Sequence, residues 1–330
     1  MKKILVLILP ILILCGCSEN SKGEKNISTY FPFYQNKLYV YTCTNSNYED
    51  EKMYTMYTED NKMQRKIDMG TVSMAEVYQN INGELKFTNV AVDMFHLENM
   101  LDASFNESFT ELKEPFEVGN SWNFSDSSEV KRQITDMKAK VETEYATFDN
   151  AMEVTTKWDN DNMTVKDYYV PNIGFVKSVS QDSSGPIIIQ LSKIIDNASY
   201  DMEQKIYFLD MNNEKLLTKP FNLKISTNED VNEKILSAMK ENNLVTNSAK
   251  INKFEVDRSD IQKQIINIDF NSGFVDLTKL GANGEALTLQ AIINTFGHIY
   301  GVDKIKLTVD GKNYESGHIL MESGDYFNVE

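Results

Sequence analysis

The chain has 330 residues, 49 of them acidic and 33 basic, which gives a formal net charge of −16 at pH 7. Its 41% hydrophobic and 25% charged residues are typical of a globular protein and exclude a disordered one. So acidic a chain lacks the basic surface that nucleic acid requires, and it is not attracted to anionic lipid. We expect no nucleic-acid partner and interpret the charge as a source of solubility, with cation binding at the cell wall as the alternative.

The N-terminus has the pattern of a secretory signal. Lys2 and Lys3 precede the unbroken apolar run Ile4–Leu14. As a helix this run would span about 16 Å at 1.5 Å per residue, roughly half of a ~30 Å hydrocarbon core. It is therefore predicted to direct export rather than to span the membrane.

The residues that follow decide how the exported chain is held. Leu14-Cys15-Gly16-Cys17 resembles the lipobox of bacterial lipoproteins, in which an aliphatic residue and two small ones precede a cysteine. The resemblance implies cleavage between Gly16 and Cys17, a lipid thioether on Cys17, and a location on the extracytoplasmic face of the cell membrane. We predict a signal peptide over residues 1–16 and a polar tether over 17–29. The alternative is a secreted protein in which Cys17 is incidental.

After processing, Cys43 would be the one free cysteine, because Cys15 is removed with the signal peptide and Cys17 carries lipid. A disulfide within one chain is thereby excluded. Cys43 ends a stretch that alternates like a strand, so it is predicted to be a small, partly buried strand residue.

Residues 30–196 are predicted to form an all-β antiparallel domain, either a sandwich or one curved sheet. Short runs rich in β-branched and aromatic residues are separated by Asn, Asp, Gly and Ser. The predicted strands are Leu38–Thr42, Met53–Thr58, Gln64–Met69, Met74–Gln79, Leu85–Val92, Val130–Thr135, Val141–Tyr145, Met152–Trp158, Thr164–Val170, Phe175–Ser180 and Ile187–Ile195. Hairpin turns are predicted at Asp159–Asn162 and Pro171–Gly174, and one helical connection at His96–Leu101.

A weak internal repeat leaves open whether this region is one domain or two. Pro32-Phe33 and Pro115-Phe116 are each followed, at the same distances, by a pair of alternating aromatics. Two halves near 30–105 and 112–195 are one interpretation of the repeat.

Residues 205–330 have a different pattern, in which helices and strands alternate. Apolar residues at helical spacing follow Thr227–Asp230, which looks like a capping box. A second helix is predicted from about Asn283–Glu285 to Gly301, with an apolar stripe at Leu289, Ile292, Ile293, Phe296 and Tyr300. The predicted strands are Lys205–Met211, Ile251–Asp257, Gln264–Phe270 and Lys304–Val309. The order β-α-β-β-α-β defines a small α/β domain, and the whole chain is predicted to be α+β.

Five groups of residues in this domain carry a resemblance to a known family; they are Ile268-Asp269-Phe270, Gly273-Phe274, Leu289 to Phe296, Val302 to Lys312 and Gly317-His318-Ile319. In their order and spacing they resemble the GerMN domain of sporulation and spore germination proteins. The sequence departs from the family in having Phe296 where leucine is commoner, and Gly297 to Tyr300 where a proline-bearing turn is expected. The resemblance implies a non-enzymatic module of the cell envelope that contacts a protein partner.

A catalytic site is not indicated. The three histidines, His96, His298 and His318, form no metal-ligand pair, and no nucleophile elbow, phosphate loop or dinucleotide fingerprint occurs. The sequence therefore predicts no cofactor, no metal and no enzymatic activity. We expect a lipid-anchored envelope protein with a role in sporulation or germination. The alternatives are a lipoprotein that binds wall polymer or a small ligand through aromatic faces of the β region, and a hydrolase.

Overall fold

The computed structural model describes residues 25–44, 50–70, 72–92, 97–103, 108–126, 129–159, 163–182, 185–210, 212–257, 265–274 and 280–330. The predictions made on Gly16, Cys17 and His96 fall outside these residues and stay predictions. Within the described part, no helix has both the length and the apolar character needed to cross a membrane.

A sheet of twelve antiparallel strands makes up most of the N-terminal region. The strands are β1 Lys37–Cys43, β2 Glu51–Glu59, β3 Lys62–Met69, β4 Val72–Ile81, β5 Glu84–Val92, β6 Phe109–Lys113, β7 Ser121–Asn123, β8 Val130–Glu142, β9 Thr147–Trp158, β10 Thr164–Val170, β11 Gly174–Asp182 and β12 Gly185–Asp196. Their order is β6-β5-β4-β3-β2-β1-β12-β11-β10-β9-β8-β7. The sheet therefore consists of two six-stranded meanders joined by the pairing of β1 with β12.

The sheet is curved enough to bring its two outer strands together. The amide of Thr110, on β6, donates to the carbonyl of Phe124, just beyond β7, at 2.7 Å. The indole of Trp122 donates to the carbonyl of Thr110 at 2.9 Å. The curved-sheet alternative is thus the one that the chain adopts, and the two halves share one continuous sheet.

The inner face of the sheet is filled by side chains from both meanders. The short helix α1, Ile27–Tyr30, lies inside, where Ile27 and Tyr30 are buried with Phe31. A second inner cluster joins the tip of the β8–β9 hairpin, including Val141, to Leu191 on β12. This face is a packed core, because apolar groups from several strands exclude water from it.

The C-terminal domain combines a β hairpin with an α/β sheet. Its elements are β13 Tyr200–Asp210, β14 Lys215–Ile225, α2 Val231–Glu241, β15 Ile251–Asp257, β16 Ile265–Phe270, α3 Gly281–Tyr300, β17 Lys304–Val309, β18 Lys312–Asn313 and β19 Phe327–Asn328. β13 and β14 form a separate two-stranded sheet. β16 and β17 are parallel and are connected through α3, while β15, β18 and β19 pair antiparallel with them.

The α+β class is confirmed, with a large antiparallel sheet followed by a smaller α/β region, and the predicted helical face is buried as expected. Leu289, Ile292, Ile293 and Phe296 are each no more than 1% exposed. Gly301 ends α3 in the left-handed conformation, at φ 66°. Its missing Cβ removes the steric penalty of that conformation.

Several local predictions need correction. The described part of the predicted helical connection, Leu97–Leu101, forms turns, since Leu97, Met100 and Leu101 dip into the core at irregular spacing. The two strands predicted within residues 130–145 are one strand, β8, with register shifts. Residues 27–29, assigned to the tether, belong to α1. Strand β14 was not predicted at all, because Pro220 interrupts its pattern.

Candidate functional site

The two domains meet where the loop after β14 docks against β2. The hydroxyl of Thr227 donates to the carbonyl of Thr55 at 2.7 Å. Beside it, the Asn228 side chain accepts from the amide of Thr58 at 2.8 Å and donates to the Thr58 carbonyl at 2.9 Å. Thr227 therefore does not cap α2 as the sequence pattern suggested; Asp230 does, by accepting from the amides of Asn232 and Glu233. These contacts fix the domain junction through main-chain groups, of which the Thr55 carbonyl is buried.

A cleft of about 510 Å³ opens beside this junction. Tyr57 and Tyr300 contribute to its wall, and burial raises the pKa of both hydroxyls, so both act as hydrogen-bond donors. Tyr57 donates to the carbonyl of Leu97 at 2.6 Å, and Tyr300 donates to the Asn232 side chain at 2.7 Å. The remaining polar lining is dominated by acceptors, which include the carboxylates Glu59, Glu98, Glu229 and Asp230. Such a lining favours donor-rich or cationic groups.

Two arginines, the buried Arg132 and the partly buried Arg65, cross-link strands on the inner face of the large sheet. Arg65, on β3, donates to Glu76 at 3.0 Å and lies 4.7 Å from the ring centroid of Tyr78. Arg132, on β8, donates to Glu111 at 2.6 Å and to Asp167 at 2.7 Å. Each guanidinium thus has a carboxylate partner on another strand, as a buried charge requires.

Burial also affects the groups around Arg132. It raises the pKa of Asp167, although the adjacent guanidinium acts in the opposite direction. It raises the pKa of Tyr169 well above the ordinary value, so that this hydroxyl donates to Glu111. The network therefore functions as a structural brace, in which one guanidinium is shared by two carboxyl groups and a tyrosine hydroxyl.

Many aromatic residues of the β region are buried, either inside the sheet or against the C-terminal domain. Tyr41, Tyr54, Tyr57, Tyr78 and Tyr169 are all buried. The Tyr39 and Tyr41 hydroxyls donate to the carbonyls of Ile173 and Phe175. Since their rings and hydroxyls already have protein partners, these tyrosines offer little surface on which a glycan would stack.

A wider groove of about 700 Å³ runs along the β13–β14 hairpin and the end of α3. The rings of Tyr207 and His298 are stacked at its base, with centroids 5.3 Å apart. The groove also contains Pro220 and Phe221, with charged residues of both signs; the latter are Glu203, Lys205 and Lys219. This surface is not evident from the sequence, because Pro220 interrupts the strand pattern of β14. A proline within a strand-like run is nevertheless a sign of an edge strand.

The described histidines are not brought together with catalytic partners. His298 approaches the main-chain oxygen of Glu330 at 3.0 Å. His318 lies in an exposed turn, where its amide donates to the Ser316 hydroxyl. Among the described residues, no group of three or more His, Cys, Asp and Glu side chains is placed to hold a metal ion. Cys43 is a partly exposed free thiol on β1.

Comparison with known families identifies the C-terminal domain. Residues 205–315 match the model of the Germane family, described as sporulation and spore germination. The resemblance to the GerMN domain is thereby confirmed for this segment, which contains Tyr207, Phe221 and His298 of the groove. A comparison with curated proteins gives no match.

Three solved structures show distant similarity to the chain. One is a candidate lipoprotein from Clostridium perfringens, with 15% identity, 39% of this chain and 87% of that chain covered, and a TM-score of 0.25. Another is a candidate exported protein with a YmcC-like fold from Bacteroides fragilis, with 11% identity, coverage of 51% and 99%, and a TM-score of 0.31. A third is a candidate lipoprotein from Parabacteroides distasonis, with 11% identity, coverage of 51% and 98%, and a TM-score of 0.27.

Proposed function

We propose that this chain is a cell-envelope lipoprotein, cleaved between Gly16 and Cys17 and held on the extracytoplasmic face of the membrane by lipid on Cys17. Its C-terminal domain binds an envelope protein in sporulation or spore germination. The Leu14-Cys15-Gly16-Cys17 sequence supports the anchor. The family match over residues 205–315 supports the cellular process.

The groove along the β13–β14 hairpin is the observation that carries the proposed interaction. Tyr207 and Phe221 line it as partly buried aromatic residues, and Lys205, Lys219 and Glu203 line it as charged residues. Aromatic anchors within a polar rim are typical of protein interfaces. Pro220 lacks an amide proton, which weakens the exposed edge of β14 as a site for strand addition. The partner is therefore expected to bind through side chains.

The proposed activity is non-catalytic. The imidazole of His298 approaches the main-chain oxygen of Glu330, and His318 contacts Ser316 through its main-chain amide. The guanidinium groups of Arg65 and Arg132 are paired with carboxylates of other strands. These contacts have a structural role, which supports an interaction protein rather than an enzyme.

Photocrosslinking in the native cells tests this proposal. A benzophenone amino acid replaces Phe221 in the groove, and a matched chain carries it at Leu320, an exposed apolar position of the same domain outside the groove. We expect one envelope protein to be crosslinked from position 221 and not from 320, in growing or in sporulating cells. The adduct should weaken when Lys219→Glu is added. Equal crosslinking from both positions, or none from 221 under either condition, would contradict the proposal.

The cleft at the domain junction favours a second candidate function, the binding of a donor-rich ligand such as an amine-bearing wall fragment. Its carboxylates and its Tyr57 and Tyr300 walls are the supporting observation. Calorimetric titration of the detergent-solubilised chain with soluble wall fragments tests it. Glu98→Gln should weaken binding, whereas Glu203→Gln, in the other groove, should not. Absence of heat with any fragment would eliminate this candidate.

A further inference from the structure

The N-terminal segment joins the large sheet at one end of its strands, a border made of strand ends and turns rather than of an outer strand. This edge, called the entry edge below, is formed by the start of β1, the turn between β4 and β5 at residues 82–83, and the loop between β6 and β7 at residues 114–120. The register places these features together, because Lys37 pairs with Asp196 at the end of β12, and Glu84 pairs with Lys113 at the end of β6.

The first described residues are firmly fixed to the entry edge. The amide of Ile27 donates to the Glu114 side chain at 2.8 Å, and the amide of Glu114 donates to the carbonyl of Gly83 at 2.8 Å. Ile27 itself is fully buried. The Thr29 carbonyl accepts from the amide of Asn172 at 2.7 Å, which ties α1 to the β10–β11 turn. The segment that leads back to Cys17 therefore leaves the protein at this edge.

The length of that segment limits the distance between the entry edge and the lipid. Cys17 and Ile27 are ten positions apart. Even a fully extended chain of that length spans at most about 35 Å. The opposite edge of the sheet is farther away by the length of a strand, which for the ten residues of β4 is about 33 Å. Lipid on Cys17 thus keeps the entry edge within about 35 Å of the bilayer and, on average, nearer to it than the opposite edge.

Two large apolar side chains are exposed on the entry edge beside Glu114. Ile81, the last residue of β4, is 39% exposed, and Val118, in the 114–120 loop, is 63% exposed. Apolar side chains at a membrane boundary gain free energy by entering the interfacial region. Acidic neighbours such as Glu117 make electrostatic attraction to anionic lipid an unsuitable explanation.

We propose that the entry edge lies against the lipid bilayer, with Ile81 and Val118 in contact with the interface. This inference rests on the proposed lipid attachment at Cys17. It assigns a fixed orientation to the anchored protein, in which α1 and Glu114 are near the membrane and the start of β4 points away. The contact is apolar, so it is expected to be insensitive to salt and to lipid charge.

Depth-dependent quenching in vesicles tests the orientation. The full-length lipidated protein, in a Cys43→Ser background, carries one environment-sensitive dye at Ile81→Cys, Val118→Cys or Val72→Cys. Val72 is a matched control because it begins the strand that Ile81 ends and is 36% exposed. The vesicles contain phosphatidylcholine with a fraction of spin-labelled phosphatidylcholine.

We expect quenching and a blue shift at positions 81 and 118, at low and high salt, and neither effect at position 72. A vesicle-bound protein without quenching at 81 and 118, or with equal quenching at all three positions, would overturn the orientation and leave the anchor intact. A blue shift that grows with protein concentration, without quenching by the spin-labelled lipid, would show that the entry edge contacts a second copy of the chain. That result would also overturn the proposed orientation. A protein that lacks lipid and does not bind vesicles would instead refute the proposed anchor.

Discussion

Asn36 and Thr227 lie 191 positions apart and exchange two hydrogen bonds, in which each main-chain amide donates to the other residue's side-chain oxygen at 2.8 Å. The Thr227 hydroxyl also donates to the carbonyl of Thr55. Thr227→Val would leave the Asn36 amide and the Thr55 carbonyl without these partners. We expect a loss of about 1–3 kcal/mol for each buried group left unsatisfied, measured by urea unfolding. Thr218→Val, at an exposed position of β14, is the control, and an equal loss there would contradict the explanation.

Limited proteolysis should reveal the division between the domains. The sequence predicts cleavage between Ile195 and Lys205 or in the N-terminal tether, with two compact products. Because Tyr200 onward is paired in β13, we expect the interdomain cut to fall within Asn197–Ser199. Mass spectrometry of the fragments locates the cut. Extensive cleavage within residues 207–321 would contradict an independent C-terminal domain.

Cys17→Ser should abolish membrane retention, because the serine hydroxyl cannot form the lipid thioether. We expect the variant to be unprocessed or released into the medium, while the wild-type chain enters the detergent phase on partitioning. Cys43→Ser is the matched control, since Cys43 is on β1 and has no predicted role in anchoring. Unchanged retention of the Cys17→Ser chain would refute lipid attachment at this residue.

Arg132→Met should destabilise the large sheet strongly, because it leaves Glu111 and Asp167 as buried, unpaired carboxylates. Breaking such a network typically costs about 3–5 kcal/mol. The exposed neighbour Lys131, which lies 3.6 Å from Asp159, provides the control. Lys131→Met should cost no more than about 1 kcal/mol.

The cost of Arg132→Met should also shrink in acid. Burial already raises the pKa of Asp167 with Arg132 present, and removal of the cation raises it further. A carboxyl whose pKa is higher in the folded than in the unfolded state stabilises the fold below its unfolded pKa, and this contribution is lost as pH rises through the folded value. The difference in unfolding free energy between the wild-type and Arg132→Met proteins should therefore be smaller at pH 5 than at pH 7. The same difference at both pH values would rule out the unpaired carboxylates as the origin of the lost stability.

Gly297→Ala should disturb the C-terminal segment that packs against α3. A Cβ at position 297 would overlap a methyl carbon of Val329 and lie 3.0 Å from its Cβ. We expect a loss of about 1–3 kcal/mol from overpacking, with faster hydrogen exchange at β19. Gly324→Ala, where a Cβ would meet nothing within 4 Å, should be close to neutral.

The elements predicted well are those whose pattern is set by a local period. In β16, Ile266, Ile268 and Phe270 alternate with polar residues and are all buried. The apolar stripe of α3 recurs at helical spacing and faces the core in the same way. In β14, by contrast, Pro220 breaks the pattern, and the strand exists because β13 pairs with all eleven of its residues. Such pairing is not visible in a local window.

Long-range partners also explain why the junction and the braces were not predicted. Thr227 and Asp230 both have side chains that can cap a helix. The Thr227 hydroxyl instead donates to the carbonyl of Thr55, which is distant in sequence. Arg132 was an ordinary charged residue of a strand until folding placed it beside Asp167, 35 positions later. Sequence periodicity gives the face of a residue only relative to its own strand, whereas burial depends on what covers that face.

The central pairing of β1 with β12 has a consequence for biogenesis. An exported chain reaches the far side of the membrane unfolded and N-terminus first, so the strands of the first meander can pair with one another as they emerge. The outer edge of β1 then has no neighbour until β12 arrives, since Lys37 pairs with Asp196. An uncovered strand edge is a template for pairing with other chains. On the proposed export route, the interval between the delivery of β1 and that of β12 is therefore when the chain is most exposed to aggregation.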